Sequence, residues 1–253
     1  MGTGPAPEDE ALRRGRFGVI YRNAQPLDVA RHGLLRLRTP LSFHFAKGLQ
    51  AVPVGLSEIP LAAQWYPIAF TSEEPCRPIA VLGLGRHENL FVDDEGRWKH
   101  GAYVPALIRR FPFGLAELEG RDVLCIETTS EVLSEGSLGS PLFEGVALSQ
   151  TTQNALRLCQ AIAADERQTE TFVGRLRALD LLDRRTATAE LNSGERVSLS
   201  GFLTIDESRF RRLSDEVFLD LRRRGWLAPI YAQVQSTLNW GRLADHVQAR
   251  RAA

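Results

Sequence analysis

His87 and His100 bracket an acidic run, Asp93-Asp94-Glu95, and two imidazoles with one carboxylate form the ligand set of non-haem iron centres. A hairpin here would bring His87, Asp93 and His100 towards one ion. Against this, Glu88 follows His87 directly, and neighbours on a strand point to opposite faces. The spacing favours two surface histidines flanking an acidic turn, with the iron set kept as an alternative. Gly83-Leu84-Gly85 follows an apolar run as a dinucleotide loop would. The third glycine is missing, and an acidic turn stands where the helix should start. Gly136-Ser137-Leu138-Gly139 lacks the residue between Gly and Ser that a nucleophile elbow needs, so Ser137 reads as a loop serine. What remains is a cationic and aromatic set: Trp98, Tyr103, Arg109, Arg110, Phe111 and Phe113, with Trp65 and Tyr66 upstream. Such residues suit a contact with an anion or peptide, supported by cation–π attraction. They also suit plain packing, one arginine on a ring and the other in solvent. These six are the candidate binding residues. No catalytic residue is assigned and no cofactor is expected, so the reading leans away from an enzyme.

These residues lie in a stretch of short apolar runs broken by Pro and Gly. VIY (19–21), LLRLR (34–38), LSFHF (41–45), YPIAF (66–70), IAVLGL (79–84) and NLFV (89–92) predict strands or extended segments. Prolines at 53, 60 and 67 keep long helices out. Asp94-Glu95-Gly96 predicts a hairpin turn, because Gly tolerates positive φ. Tyr103-Val104-Pro105 predicts the entrance to a short helix, ending at Arg110 or Phe111 because Pro112 disfavours a helical predecessor. FGLAEL (113–118) and VLCIET (123–128) predict two strands, and SEGSLGSPLFEG (134–145) an exposed loop. From Leu148 to Leu182 the apolar spacing turns to threes and fours, predicting a long amphipathic helix with a break near Asp165. Thr186–Leu191 and Val197–Ile205 alternate around Asn192-Ser193-Gly194-Glu195, a hairpin pattern. Two helices, near 207–223 and 228–249, close the chain, with Trp226, Tyr231, Asn239 and Trp240 as core and cap. The fold class is α+β: a β-rich N-terminal half and a helical C-terminal half with one β-hairpin. Residues 1–16 are expected to be a disordered extension, and 17–253 one domain, subdivided if at all into β-rich 17–133 and mainly helical 146–253.

Lys plus Arg and Asp plus Glu number 31 each, so no global field favours nucleic acid or an anionic membrane. A protein or peptide partner is the expectation, with no nucleic acid and no membrane insertion; zero net charge also leaves room for a homo-oligomer. Cys76, Cys125 and Cys159 are scattered without a CxxC, which argues against a disulfide framework or zinc knuckle and suits a reducing compartment. The first residues hold no apolar run of signal-peptide type, and the expected address is the cytoplasm.

Several segments carry a resemblance that runs roughly from Phe17 to Val247. They are LSFHFAKGLQAVPVGLSEIPLAAQWYPIAF (41–70), LGLGRHENLFVDDEGRW (82–98), AYVPALIRRFPF (102–113), SPLFEG (140–145), SLSGFLTIDESRFRRLSDE (198–216) and IYAQVQSTLNW (230–240). In content and order they resemble the bacterial SapC family, named for a component of surface-layer loci. The resemblance implies an accessory protein of a surface-layer or outer-membrane-linked system. Family members lie near genes resembling tryptophan halogenases and outer-membrane receptors, which implies, as the alternative, an enzyme or cofactor-dependent partner in oxidative tailoring. The family has no assigned catalytic residues to transfer. The charged N-terminus and His100-Gly101 depart from its usual pattern.

Overall fold

The computed structural model describes residues 20–118, 120–190 and 196–252. The expected disordered extension (1–16) and the Asn192–Glu195 turn lie outside the described residues. In chain order the first elements are β1 (Ala24–Pro26), α1 (Val29–His32), β2 (Leu35–Leu37), a 3-10 turn (His44–Ala46), β3 (Ala51–Pro53) and α2 (Ile59–Ala62). Next come β4 (Ile68–Thr71), β5 (Pro78–Val81), α3 (Ala106–Arg109), β6 (Phe113–Leu118) and β7 (Arg121–Glu127). Short strands β8 (Leu133–Glu135), β9 (Ser140–Pro141), β10 (Phe143–Glu144) and β11 (Ala147–Leu148) precede the long helix α4 (Gln150–Ala178). The chain ends with β12 (Leu182–Glu190), β13 (Arg196–Ile205), α5 (Glu207–Arg211), α6 (Asp215–Arg223), α7 (Leu227–Ser236) and α8 (Asn239–Ala252). The class is α+β, as expected. No helix among the described residues is long and apolar enough to cross a membrane.

Two compact units share the chain. One takes the described residues up to Phe45 and Ile108–Ala163, the other Ala46–Leu107 and the residues from Ala164 on. Neither coincides with 17–133 or 146–253.

In the first unit, β6 and β7 pair with Phe113 opposite Ile126 and Leu115 opposite Leu124, so period-two alternation puts these four on one face. With Leu142, Phe143 and the α4 residues Cys159 and Ala163 they form its core. β1 extends this sheet beyond β7, while β2 is paired on both edges, by β8 and β9. The stretch expected to be an exposed loop (134–145) is thus partly strand, because its apolar Leu142 is wholly buried. Buried Glu127 ties the unit together. Its carboxylate accepts from the Arg22 and Asn23 amides at 2.5 and 2.7 Å and from the Thr129 amide and hydroxyl at 3.0 and 2.5 Å. Burial works to raise this carboxyl, but those donors outweigh it and hold the pKa below the usual range.

The second unit centres on an antiparallel sheet ordered β12-β13-β4-β5-β3. Strand β4 is central and fully buried at Ala69 and Phe70. It pairs with β13 only at Phe202–Thr71 and Leu203–Phe70. Where the strands part, α7 supplies the missing partners. Gln233 Nε2 donates to the Ile68 carbonyl at 2.8 Å, and its Oε1 accepts from the Ile205 amide at 3.1 Å. Ser236 Oγ accepts from the Ile68 amide at 2.9 Å. Asn239 continues the row, donating to the carbonyls of Ala63 and Tyr66 at 2.7 and 3.1 Å. α7 ends at Ser236 and α8 starts at Asn239, so the helix expected over 228–249 is two helices.

Two other helices also differ from expectation. The one predicted over 207–223 breaks at Ser214, whose hydroxyl accepts from the Val217 amide and caps α6. In contrast α4 runs unbroken past Asp165, whose carboxylate faces outward and accepts from the Ser57 amide at 3.2 Å and the Ser57 hydroxyl at 2.9 Å.

Replacing Gln233 by Leu strands a buried donor and a buried acceptor, each worth about 1–3 kcal/mol. We expect Gln233→Leu to lower unfolding stability by roughly 2–4 kcal/mol on that scale, read as a reduced urea midpoint at unchanged slope.

A pocket against the Val92–Trp98 hairpin

The acidic run forms the predicted turn, closed by a bridge between Val92 and Trp98, with Gly96 at φ 74°. Asp93 organises it. Its Oδ1 accepts from the Glu95 and Arg97 amides at 3.0 and 2.8 Å, and its Oδ2 from Arg97 Nε at 2.8 Å. The amide of Arg97, with its side chain, holds the Asp93 carboxyl below the usual range. The carboxylate is therefore used up within its own turn. His87, Asp93 and His100 are not a ligand set: among the described residues no three of His, Cys, Asp and Glu gather as a metal site. The glycines at 83 and 85 have a local role too. A Cβ at Gly83 would stand 2.2 Å from the Glu88 carbonyl oxygen, and the Gly85 amide donates to the Glu88 carboxylate at 3.0 Å. They allow a tight chain reversal where a phosphate cradle was considered.

Below the hairpin, buried polar groups form a chain. Trp98 Nε1 donates to Tyr66 Oη at 3.2 Å, and that hydroxyl donates to the Tyr103 carbonyl. The Tyr103 hydroxyl in turn donates to Glu58 Oε1 at 2.8 Å. Glu58, only 9% exposed, also accepts from the Ala106 amide at 2.7 Å and the Gly55 amide at 3.0 Å. Burial pushes the Tyr66 phenol above its ordinary value, against the opposing Trp98 hydrogen bond. Phe91 packs edge-on to Tyr66 with ring centroids 4.6 Å apart.

Helix α8 faces this hairpin with His246 and Arg250, one turn apart and so on one side of the helix. Arg250 donates to the carbonyls of Asn89 and Val92 at 3.0 and 3.5 Å. The Lys99 ammonium meets His246 Nε2, and the His246 ring stands edge-on to Phe91 at 5.4 Å. Between hairpin and helix opens a pocket of about 700 Å³ whose walls include Phe91, Trp98, Lys99, His100, His246 and Arg250. That volume lies within the usual range for ligand pockets. Burial, and then the Lys99 charge, keep the His246 imidazole below its ordinary pKa.

The six residues marked from sequence divide between the two units. Trp98 and Tyr103 lie in the second; Trp98 is 9% exposed and Tyr103 half-buried, both held as described. Trp65 is half-buried and Tyr66 wholly buried. Arg109, Arg110, Phe111 and Phe113 lie in the first unit. Only Arg109 of these is exposed. Arg110 is 2% exposed, with its guanidinium carbon 5.7 Å from the Tyr21 ring centre. Phe111 stacks on Phe45 at 3.9 Å, and Phe113 lies in the core. Burial pushes the Tyr21 phenol up to about 12 although Arg110 works against it, and pushes the Cys125 and Cys159 thiols up to about 11. Such thiols are protonated at neutral pH and packed, not nucleophilic. The set as a whole is thus mainly core. Lys99, His246 and Arg250 carried no usable sequence signal beyond the i, i+4 spacing of the last two.

The SapC family model matches the chain over residues 27–243. No curated protein and no solved structure matches it.

His246 and, in the first unit, His32 are both held below the ordinary histidine value of 6.5, foremost by burial. Each folded imidazole therefore binds a proton less readily than its unfolded counterpart. Their stabilising contribution is present above about pH 6.5 and is lost as pH falls below it. Urea midpoints are expected to drop between pH 7.5 and 5.5, and His246→Gln to flatten part of that drop.

Proposed function

The chain belongs to the SapC family, and on that premise we propose that it is a non-enzymatic accessory protein of a surface-layer or outer-membrane-linked system. It acts by binding a protein or peptide partner. What supports the reading is the pocket between the hairpin and α8, with Phe91 and Trp98 in its walls and exposed Lys99, His100 and Arg250 at its edge. Its frame is held by a buried tyrosine, tryptophan and carboxylate chain, so a partner meets a preformed cleft and little ordering cost is added on binding. Aromatic and arginine groups beside such a cleft are the types that anchor interfaces.

The test is cross-linking and co-purification of the full tagged chain from its native cells, beside a Lys99→Glu/Arg250→Glu double variant of unchanged circular dichroism. We expect a partner held by the parent chain at a fixed ratio and lost from the variant. Equal retention by both would remove the pocket as the docking site. Turnover of a small molecule abolished by one substitution would overturn the non-enzymatic reading itself.

A further inference from the structure

The sheet of the second unit is blunt at one end and open at the other. Its β3 end is three residues long and closes on Pro53. At the other end β12 runs nine residues, and among the described residues its backbone hydrogen-bonds to β13 alone. Folded sheets ordinarily blunt such an edge with Pro, Lys or a bulge. Leu182–Glu190 contains no Pro and no Lys. The bulge falls on the inner strand. The register passes from Arg185 opposite Phe202 to Thr186 opposite Ser200, leaving Gly201 of β13, at φ 84°, as the extra residue. The outer edge of β12 therefore stays regular, with Arg184, Arg185, Thr186 and Thr188 exposed. Past Gly201 the pair also loses β4, which meets β13 only at Phe202 and Leu203. A two-stranded ribbon is marginal alone and gains from further strands.

The charges of β12 are sorted along its length. Asp183, Arg184 and Arg185 stand at one end and Glu190 at the other, with Thr186-Ala187-Thr188-Ala189 between. Arg185 is paired with Asp183 at 3.1 Å, which leaves Arg184 as the net charge of that end. Such a strand is its own complement when reversed. We propose that β12 pairs antiparallel with β12 of a second copy of this chain, about a two-fold axis at Ala187, joining two five-stranded sheets into one.

Facing side chains lie on the same side of a sheet and alternate with period two, so a two-fold axis must set one residue opposite itself. Centres at 183, 184 or 185 put like charges face to face, and centres at 186 or 188 match no opposite charges within the strand. At 187, Arg184 of each copy faces Glu190 of the other, and Thr186 faces Thr188, a cross-strand pair that stabilises sheets. Glu190 stands opposite Arg196 in β13, so the row reads Arg196, Glu190, Arg184 in alternating sign. Leu199 stands opposite Ala187, so the row through the axis is apolar across all four strands. The zero net charge of the chain adds no repulsion between copies.

Sedimentation velocity of the full chain over a dilution series tests this. A reversible dimer is expected, weakened about tenfold by Arg184→Glu, the scale of two facing charge pairs turned from attraction to repulsion. Glu190→Arg should weaken it likewise. An equimolar mixture of these two single variants should dimerise as tightly as the parent, because each supplies the charge the other lacks. Arg222→Ala/Arg223→Ala should change nothing. The native cysteines are buried, so mild oxidation of an Ala187→Cys variant should link copies through the axis. Thr186→Cys and Thr188→Cys should link faster when mixed than either does alone. A chain that is monomeric at every concentration, a dimer indifferent to Arg184→Glu, no rescue in the mixture, or no cross-link from Ala187→Cys overturns the assignment. β12 shares no residue with the hairpin–α8 pocket, so either assignment can fail without the other.

Discussion

The buried hydroxyl of Tyr66 ties two segments of the second unit together. It sits at zero exposure, accepting from the Trp98 indole and donating to the Tyr103 carbonyl. A phenol placed there without partners would cost several kcal/mol on the scale for unsatisfied buried groups. The position of the hairpin and of the 103–106 segment are therefore coupled to one side chain. Glu58 extends the coupling, because it takes both the Tyr103 hydroxyl and the Ala106 amide. With the Gly55 amide, that side chain takes three donors in a buried site.

A second constraint is the polar row Gln233, Ser236 and Asn239. Spaced by three, these residues lie along one side of the helical run and read the backbone of 63–68 as a neighbouring strand would. The sheet can then splay between β4 and β13 without leaving buried peptide groups unsatisfied. The IYAQVQSTLNW stretch that carried part of the family likeness thus owes its buried polar residues, Gln233, Ser236 and Asn239, to bonds with that backbone.

Periodicity made the strands β4 to β7, the Asp94–Gly96 turn and the length of α4 readable in advance, because each depends on local alternation or spacing. Helix breaks were not readable. Ser214 starts a new helix by a local cap to the Val217 amide, while Asn239 bonds to carbonyls far away in the chain, and in sequence both look like ordinary polar positions on a helix. The candidate set mixes core and surface residues for a related reason. Composition cannot distinguish an aromatic that fills a core from one that lies at the surface, and Phe111, Phe113 and Phe91 are all core at 3% exposure or less. Arg110 illustrates the same limit, since a guanidinium is ordinarily exposed and this one is buried beside Tyr21. The pocket's cations come from residues about 150 positions apart, Lys99 and Arg250, which only the tertiary fold brings together.

Each unit is assembled from two separate stretches of chain, and this sets an order of events on the ribosome. Strands β3, β4 and β5 emerge first, but the β4 edge receives β13 only after some 125 further residues have been made, and α7 later still. Until then a mainly apolar strand has a bare hydrogen-bonding edge, the kind of surface that nascent chains pair by mistake. Cutting the gene after any codon from 46 to 162 would leave neither piece with a complete unit.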